Sequence, residues 1–106
     1  MEKIIAEVRS AANSRILFLP HALRQMSRLD RMISAADVKR TVMTGKFIES
    51  YPEDPRGHSC LILGQTDDKR PVHVVCSPKS DYLAIITAYI PSDDLWTTDF
   101  ESRLIK

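Results

Sequence analysis

Glycine is scarce in this chain, with three residues among 106. That leaves no glycine-rich phosphate loop, no Walker motif and no collagen-like repeat. A nucleophile elbow of the hydrolase type is also missing. No apolar run approaches the roughly 20 residues needed to span a membrane, so no membrane partner is expected. Only two cysteines, Cys60 and Cys76, are present, and they lie in apolar runs without a disulfide-scaffold spacing. The N-terminus enters a charged amphipathic pattern directly, unlike a secretory signal. A cytoplasmic, reducing compartment with buried thiols is the expectation.

The chain carries a formal net charge of +1, and its two halves differ in sign. Residues 1–50 hold nine Lys/Arg against five Asp/Glu; residues 51–106 hold six against nine. An anionic partner is therefore expected on the N-terminal half. The length suits one domain, 1–106, with a single modest core.

Periodicity divides the chain into helices followed by strands. Ile4, Ile5, Val8, Ala11 and Ala12 recur at helical spacing over residues 2–12. Arg15–Leu19 reads as an extended connector or a brief strand. Pro20 opens a second helix that is expected to run to about Asp30. Ser34 and Asp37 have the spacing of a capping box, Ile33 and Val38 that of a hydrophobic staple, and Gly45 closes the third helix. After it, 47–51, 59–64, 72–76 and 83–90 read as four strands joined by short turns. The expected fold is α+β, with N-terminal helices packed on a four-stranded antiparallel sheet. The tail from Pro91, with Trp96 and Phe100, is expected to fold back onto the domain.

On the second helix, His21, Arg24, Arg28 and Arg31 fall within about one quadrant at 100° per residue. Guanidiniums beside an imidazole suit a phosphodiester-binding or phosphodiester-cleaving surface. An ordinary solvated helix face looks the same. Lys39 and Arg40 extend the basic surface. His73 sits mid-strand, either in a cleft with Thr87 or Tyr89 or as a hydrogen-bonded core residue. Tyr51 and Tyr89 are placed to stack a base or donate a proton, and Arg103 is a further phosphate contact. His58, Cys60, His73 and Cys76 are four possible metal ligands, but His73 and Cys76 point to opposite strand faces. Neither a metal nor a cofactor is expected.

Several segments together resemble the bacterial domain of unknown function 4258. They are His21-Ala22, Met26 and Arg31-x-Ile33-Ser34; Tyr51-Pro52-Glu53-Asp54 with Ser59–Gly64; Arg70–Val75 with Ile85–Pro91; and Trp96-x-x-Asp99-Phe100-x-x-Arg103. The resemblance implies a RelE/ParE-toxin-like fold in the wider group of metal-independent ribonucleases. The implied function is an endoribonuclease toxin that cleaves RNA by 2′-hydroxyl attack and is neutralised by a cognate antitoxin protein. Its catalytic residues would be His21, Arg28, His73 and Tyr89. Arg24, Arg31, Lys39, Arg40, Tyr51 and Arg103 would bind RNA, in a monomer or weak homodimer. One departure is Gln25, at a position where the family commonly has Arg. The competing reading is a catalytically silent protein- or nucleic-acid-binding module of the same fold.

Overall fold

The structure, a computed structural model, describes residues 3–104. The expected helix start at residue 2, and the two ends of the 1–106 domain, lie outside the described residues. In chain order the elements are α1 (Lys3–Ser14), β1 (Ile16–Phe18), α2 (Pro20–Met26) and α3 (Ala35–Thr44). The strands β2 (Lys46–Tyr51), β3 (Ser59–Gln65), β4 (Pro71–Pro78) and β5 (Leu83–Tyr89) follow.

The sheet has five strands in the order β1-β5-β4-β3-β2. This corrects the expected four-stranded antiparallel sheet: the short run at 16–18 pairs in parallel with β5, making the sheet mixed. Three residues carry no pairing signature of their own, so the parallel edge arises from tertiary packing. Ile16 and Phe18 pack against the core while Leu17 stays exposed.

Helices α1 and α3 cover one face of the sheet. Ile4, Ile5 and Val8 from α1 meet Val38 and Val42 from α3 over Cys60, Ile62, Val74 and Cys76, all buried. The Arg9 guanidinium donates to the carbonyls of Val42 (3.3 Å) and Gly45 (2.9 Å), tying α1 to the C-terminus of α3. The start of α3 is the capping box expected from the sequence. Asp37 N–H donates to Ser34 Oγ, and Ser34 N–H donates to Asp37 Oδ2, each at 3.0 Å. Ser34→Ala is expected to cost about 1 kcal/mol, read as a lower urea midpoint with an unchanged slope.

The second helix ends at Met26, four residues before the expected boundary. Ser27 gives both its N–H (3.1 Å) and its hydroxyl (2.7 Å) to the Leu23 carbonyl. Ile33 N–H then takes the Met26 carbonyl, and Met32 turns through a left-handed φ of 51°. Residues 28–31 are thus a turn, and the predicted stripe of His21, Arg24, Arg28 and Arg31 is not one helical face.

Two β-bulges decide what the other sheet face presents. Along β2, Phe47 pairs with Ile62 and Glu49 with Leu61, so Ile48 is an extra residue. Along β5, Ile85 pairs with Cys76 and Thr87 with Val75, so Ile86 is extra. Each insertion reverses the alternation beyond it. Phe47 and Ile85 therefore pack with the helices. Glu49, Tyr51, Thr87 and Tyr89 join His73 on the opposite face.

Candidate functional site

That opposite face is partly roofed by the tail. Trp96 is buried and bridges to Arg103, and Phe100 adopts a left-handed φ of 61°, a strained conformation for a side chain of this size. The turn at Phe100 delivers its carbonyl to His73, whose Nε2–H donates to it at 2.9 Å. The imidazole also stands edge-on to Trp96, with ring centroids 4.5 Å apart. His73 thus faces away from α1 and α3, as the cleft reading required. It is fully buried all the same, because the tail covers it.

These contacts fix the tautomer of His73. A carbonyl only accepts, so Nε2 carries the hydrogen. Burial pushes the pKa of His73 down, and the Phe100 carbonyl only partly opposes this. The neutral ring then has its lone pair on Nδ1, which lies 3.2 Å from the Tyr89 hydroxyl. Tyr89 is consequently the donor in that bond, and its oxygen keeps lone pairs free. Burial raises the Tyr89 phenol, so it remains protonated.

Above this layer lies an open hollow of about 510 Å³. His21 reaches it from α2, Tyr51 from β2, Thr87 and Tyr89 from β5, Arg103 from the tail, and Asp54 and Arg56 from the β2–β3 loop. Arg103 grips Glu49 through Nε (2.9 and 3.2 Å) and Nη2 (3.0 Å), with its guanidinium 4.7 Å from the Trp96 ring centroid. The Tyr51 hydroxyl donates to the same carboxylate at 2.7 Å. Burial pushes Glu49 up, but the hydrogen bonds from Arg103 and Tyr51 outweigh it and hold the carboxyl below its ordinary range. Tyr51 is raised far above a free phenol, first by burial and then by its bond to Glu49. Asp54 is held well below the usual carboxylate range by Arg56, and also accepts from Ser59 Oγ at 2.8 Å.

Five of the residues singled out from sequence, His21, Tyr51, Thr87, Tyr89 and Arg103, meet in this hollow, and His73 lies directly beneath Tyr89. The others do not line it. Arg28 pairs with Asp30 on the surface. Arg31 donates to Gln25 Oε1 at 2.7 Å. Arg40 binds Asp37 (2.7 Å), Asp67 (3.1 Å) and the Gln65 carbonyl (3.0 Å), which is a brace between α3 and the β3–β4 turn. Lys39 borders a separate hollow beside α1 and β1, and Arg24 stays exposed on α2. Arg56 and Glu49 were not anticipated. Arg56 lies in the connection between the strands expected at 47–51 and 59–64, where no site residue was singled out, and Glu49 reaches the site face only through the bulge.

Cys60 and Cys76 are directly paired across β3 and β4, buried on the helix side. His73 is on the other side of the sheet. Among the described residues no group of three or more His, Cys, Asp or Glu is placed to hold a metal ion. Nor does any helix among them have the length and apolarity to cross a membrane.

Compared with known proteins, residues 18–90 match the family model described as "Domain of unknown function (DUF4258)". That stretch carries His21, Tyr51, His73 and Tyr89 and stops short of Trp96, Phe100 and Arg103. No curated protein and no solved structure matches the chain, so the expected likeness to RelE/ParE-type toxins finds no counterpart.

Proposed function

The chain belongs to the DUF4258 family, and we propose that it is a metal-independent endoribonuclease acting as a toxin under the control of a cognate antitoxin protein. The observation that carries the reading is the convergence of an exposed imidazole, two phenols and two guanidiniums on one hollow. Metal-free cleavage of RNA needs a base for the 2′-hydroxyl, an acid for the departing 5′-oxygen and cations around the pentavalent phosphorus. His21 takes the 2′-hydroxyl proton as that oxygen bonds to phosphorus. His21 then returns that proton to the 5′-oxygen as the P–O5′ bond breaks, while the Tyr89 oxygen, whose own proton is held by His73 Nδ1, keeps its lone pairs to orient the 2′-hydroxyl. Arg103 and Arg56 face the phosphate oxygens, while Tyr51 offers a ring for stacking a base.

One observation favours the silent binding module instead: both arginines are already paired with carboxylates. A single experiment separates the two readings. The purified chain is incubated with mixed-sequence RNA in EDTA, beside His21→Ala and Arg28→Ala. Cleavage by the wild type is expected, reduced by roughly a hundredfold or more in His21→Ala. Arg28→Ala should match the wild type, since Arg28 lies outside the hollow. An inert wild type that still binds the RNA would leave the binding module standing. Growth arrest on expression, relieved by a co-expressed partner, tests the toxin part of the reading.

A further inference from the structure

The two guanidiniums lining the hollow arrive with fixed counter-charges. Arg103 spends Nε and Nη2 on Glu49, and Arg56 spends Nε and Nη2 on Asp54 at 3.0 and 3.1 Å. Neither carboxylate is free to swing away. Glu49 is held by the Tyr51 hydroxyl at 2.7 Å, and Asp54 by Ser59 Oγ at 2.8 Å. Each guanidinium keeps its Nη1 edge for a ligand, so an incoming oxyanion meets hydrogen-bond donors without displacing either acid. The two pairs together carry no net charge. A ligand with one negative charge is bound through charge-assisted hydrogen bonds. Among the described residues no Lys or Arg besides Arg56 and Arg103 lines the hollow, so a second negative charge is left to the repulsion of Glu49 and Asp54.

From this we infer that the hollow selects singly charged phosphodiesters and rejects doubly charged phosphate monoesters, with Glu49 setting the selectivity. The inference rests on the RNA reading and narrows it: the site takes linkages inside a chain and turns away terminal phosphates. It also turns the paired arginines from an objection into a specificity device.

The test compares two ligands that differ by one methyl group, a nucleoside 3′-phosphate and its methyl ester. At pH 7.5 the first is mostly a dianion, because its second pKa is near 6, and the second is a monoanion. Calorimetric titration into the full chain is expected to show the methyl ester binding about tenfold tighter. Glu49→Gln keeps the shape and removes the charge, so the ratio should fall to about one or invert. Asp54→Asn, on the other pair, should lower the ratio independently. Equal affinities in the wild type, or an unchanged ratio in both variants, overturn the inference. A short 2′-deoxy-blocked RNA oligomer is titrated alongside. If it fails to bind, the RNA reading falls and takes this inference with it. If it binds while the ratio is flat, or while neither mononucleotide binds, this inference alone falls.

Discussion

Valine in place of Gly64 is expected to remove a large share of the stability of the fold. Gly64 lies on β3 where α3 crosses it, and a Cβ there would overlap Thr41 Oγ1 and stand 2.8 Å from both Thr41 Cβ and Cγ2. Thr41 is buried in the middle of α3 and has no room to turn aside. The helix cannot slide to make space either. Its start is held by the capping box, and Asp37 also accepts from Asp67 N–H at 3.0 Å. Overpacking a core typically costs about 1–3 kcal/mol. Here even the first added carbon is inside contact distance, and valine adds two more, so about 4 kcal/mol is expected. That is a large share of the roughly 5–15 kcal/mol that holds a domain folded. Circular dichroism and a urea titration would show the loss. Thr41→Ala in the same chain should restore part of it, because two of the three clashing atoms disappear. The restoration loses no hydrogen bond, since Thr41 Oγ1 has no partner among the described residues. A Gly64→Val chain with an unshifted midpoint would show that α3 and β3 do not meet this closely.

The features legible in the sequence were those written by neighbouring residues. Ser34 and Asp37 cap α3 because a capping box needs only a spacing of three. Four strands were expected close to where they lie because alternation and turn residues are local signals. What stayed hidden depends on contacts made far along the chain. The parallel edge at Ile16–Phe18 exists because β5 offers it a partner. The end of α2 was misplaced because Leu29 continues the apolar spacing, while the Ser27 hydroxyl stops the helix.

The site shows the same division. His21, Tyr51, Tyr89 and Arg103 could be chosen by residue type, but the faces they occupy could not be read from alternation. Strict alternation would put Phe47, Glu49 and Tyr51 on one side, and likewise Ile85, Thr87 and Tyr89. The bulges at Ile48 and Ile86 split both sets, so that each strand feeds the core with one half and the hollow with the other. A bulge is set by the partner strand as much as by its own residues, which is why sequence pattern missed it. The arginine stripe failed for a related reason. Helical geometry was extended past a helix that had already ended.

Replacing His73 is expected to have an effect as large as filling Gly64, and it carries a pH signature. Alanine there would remove a wholly buried ring packed edge-on to Trp96 and Tyr89. It would also strip partners from the Phe100 carbonyl and the Tyr89 hydroxyl. The cavity and the two orphaned groups together should cost about 4 kcal/mol. A gentler variant, His73→Gln, keeps a polar side chain and isolates the titration. In the unfolded chain the imidazole takes a proton at about its ordinary value of 6.5, whereas burial in the fold depresses that value. The unfolded state therefore binds more protons as the solution becomes acidic. Wild-type stability should be complete above pH 6.5 and drain away as pH falls towards the depressed folded value. The nearby Glu49 carboxylate softens this loss and the Arg103 guanidinium deepens it. In His73→Gln the decline attributable to this ring should vanish, leaving the shallower slope of the remaining groups. Urea midpoints measured from pH 7.5 to 5.5 in both proteins give the comparison directly. Parallel curves would mean that the ring is not held neutral. The Tyr89 hydroxyl would then not be its donor, and the lone pairs assigned to the Tyr89 oxygen in the hollow would have to be reassigned.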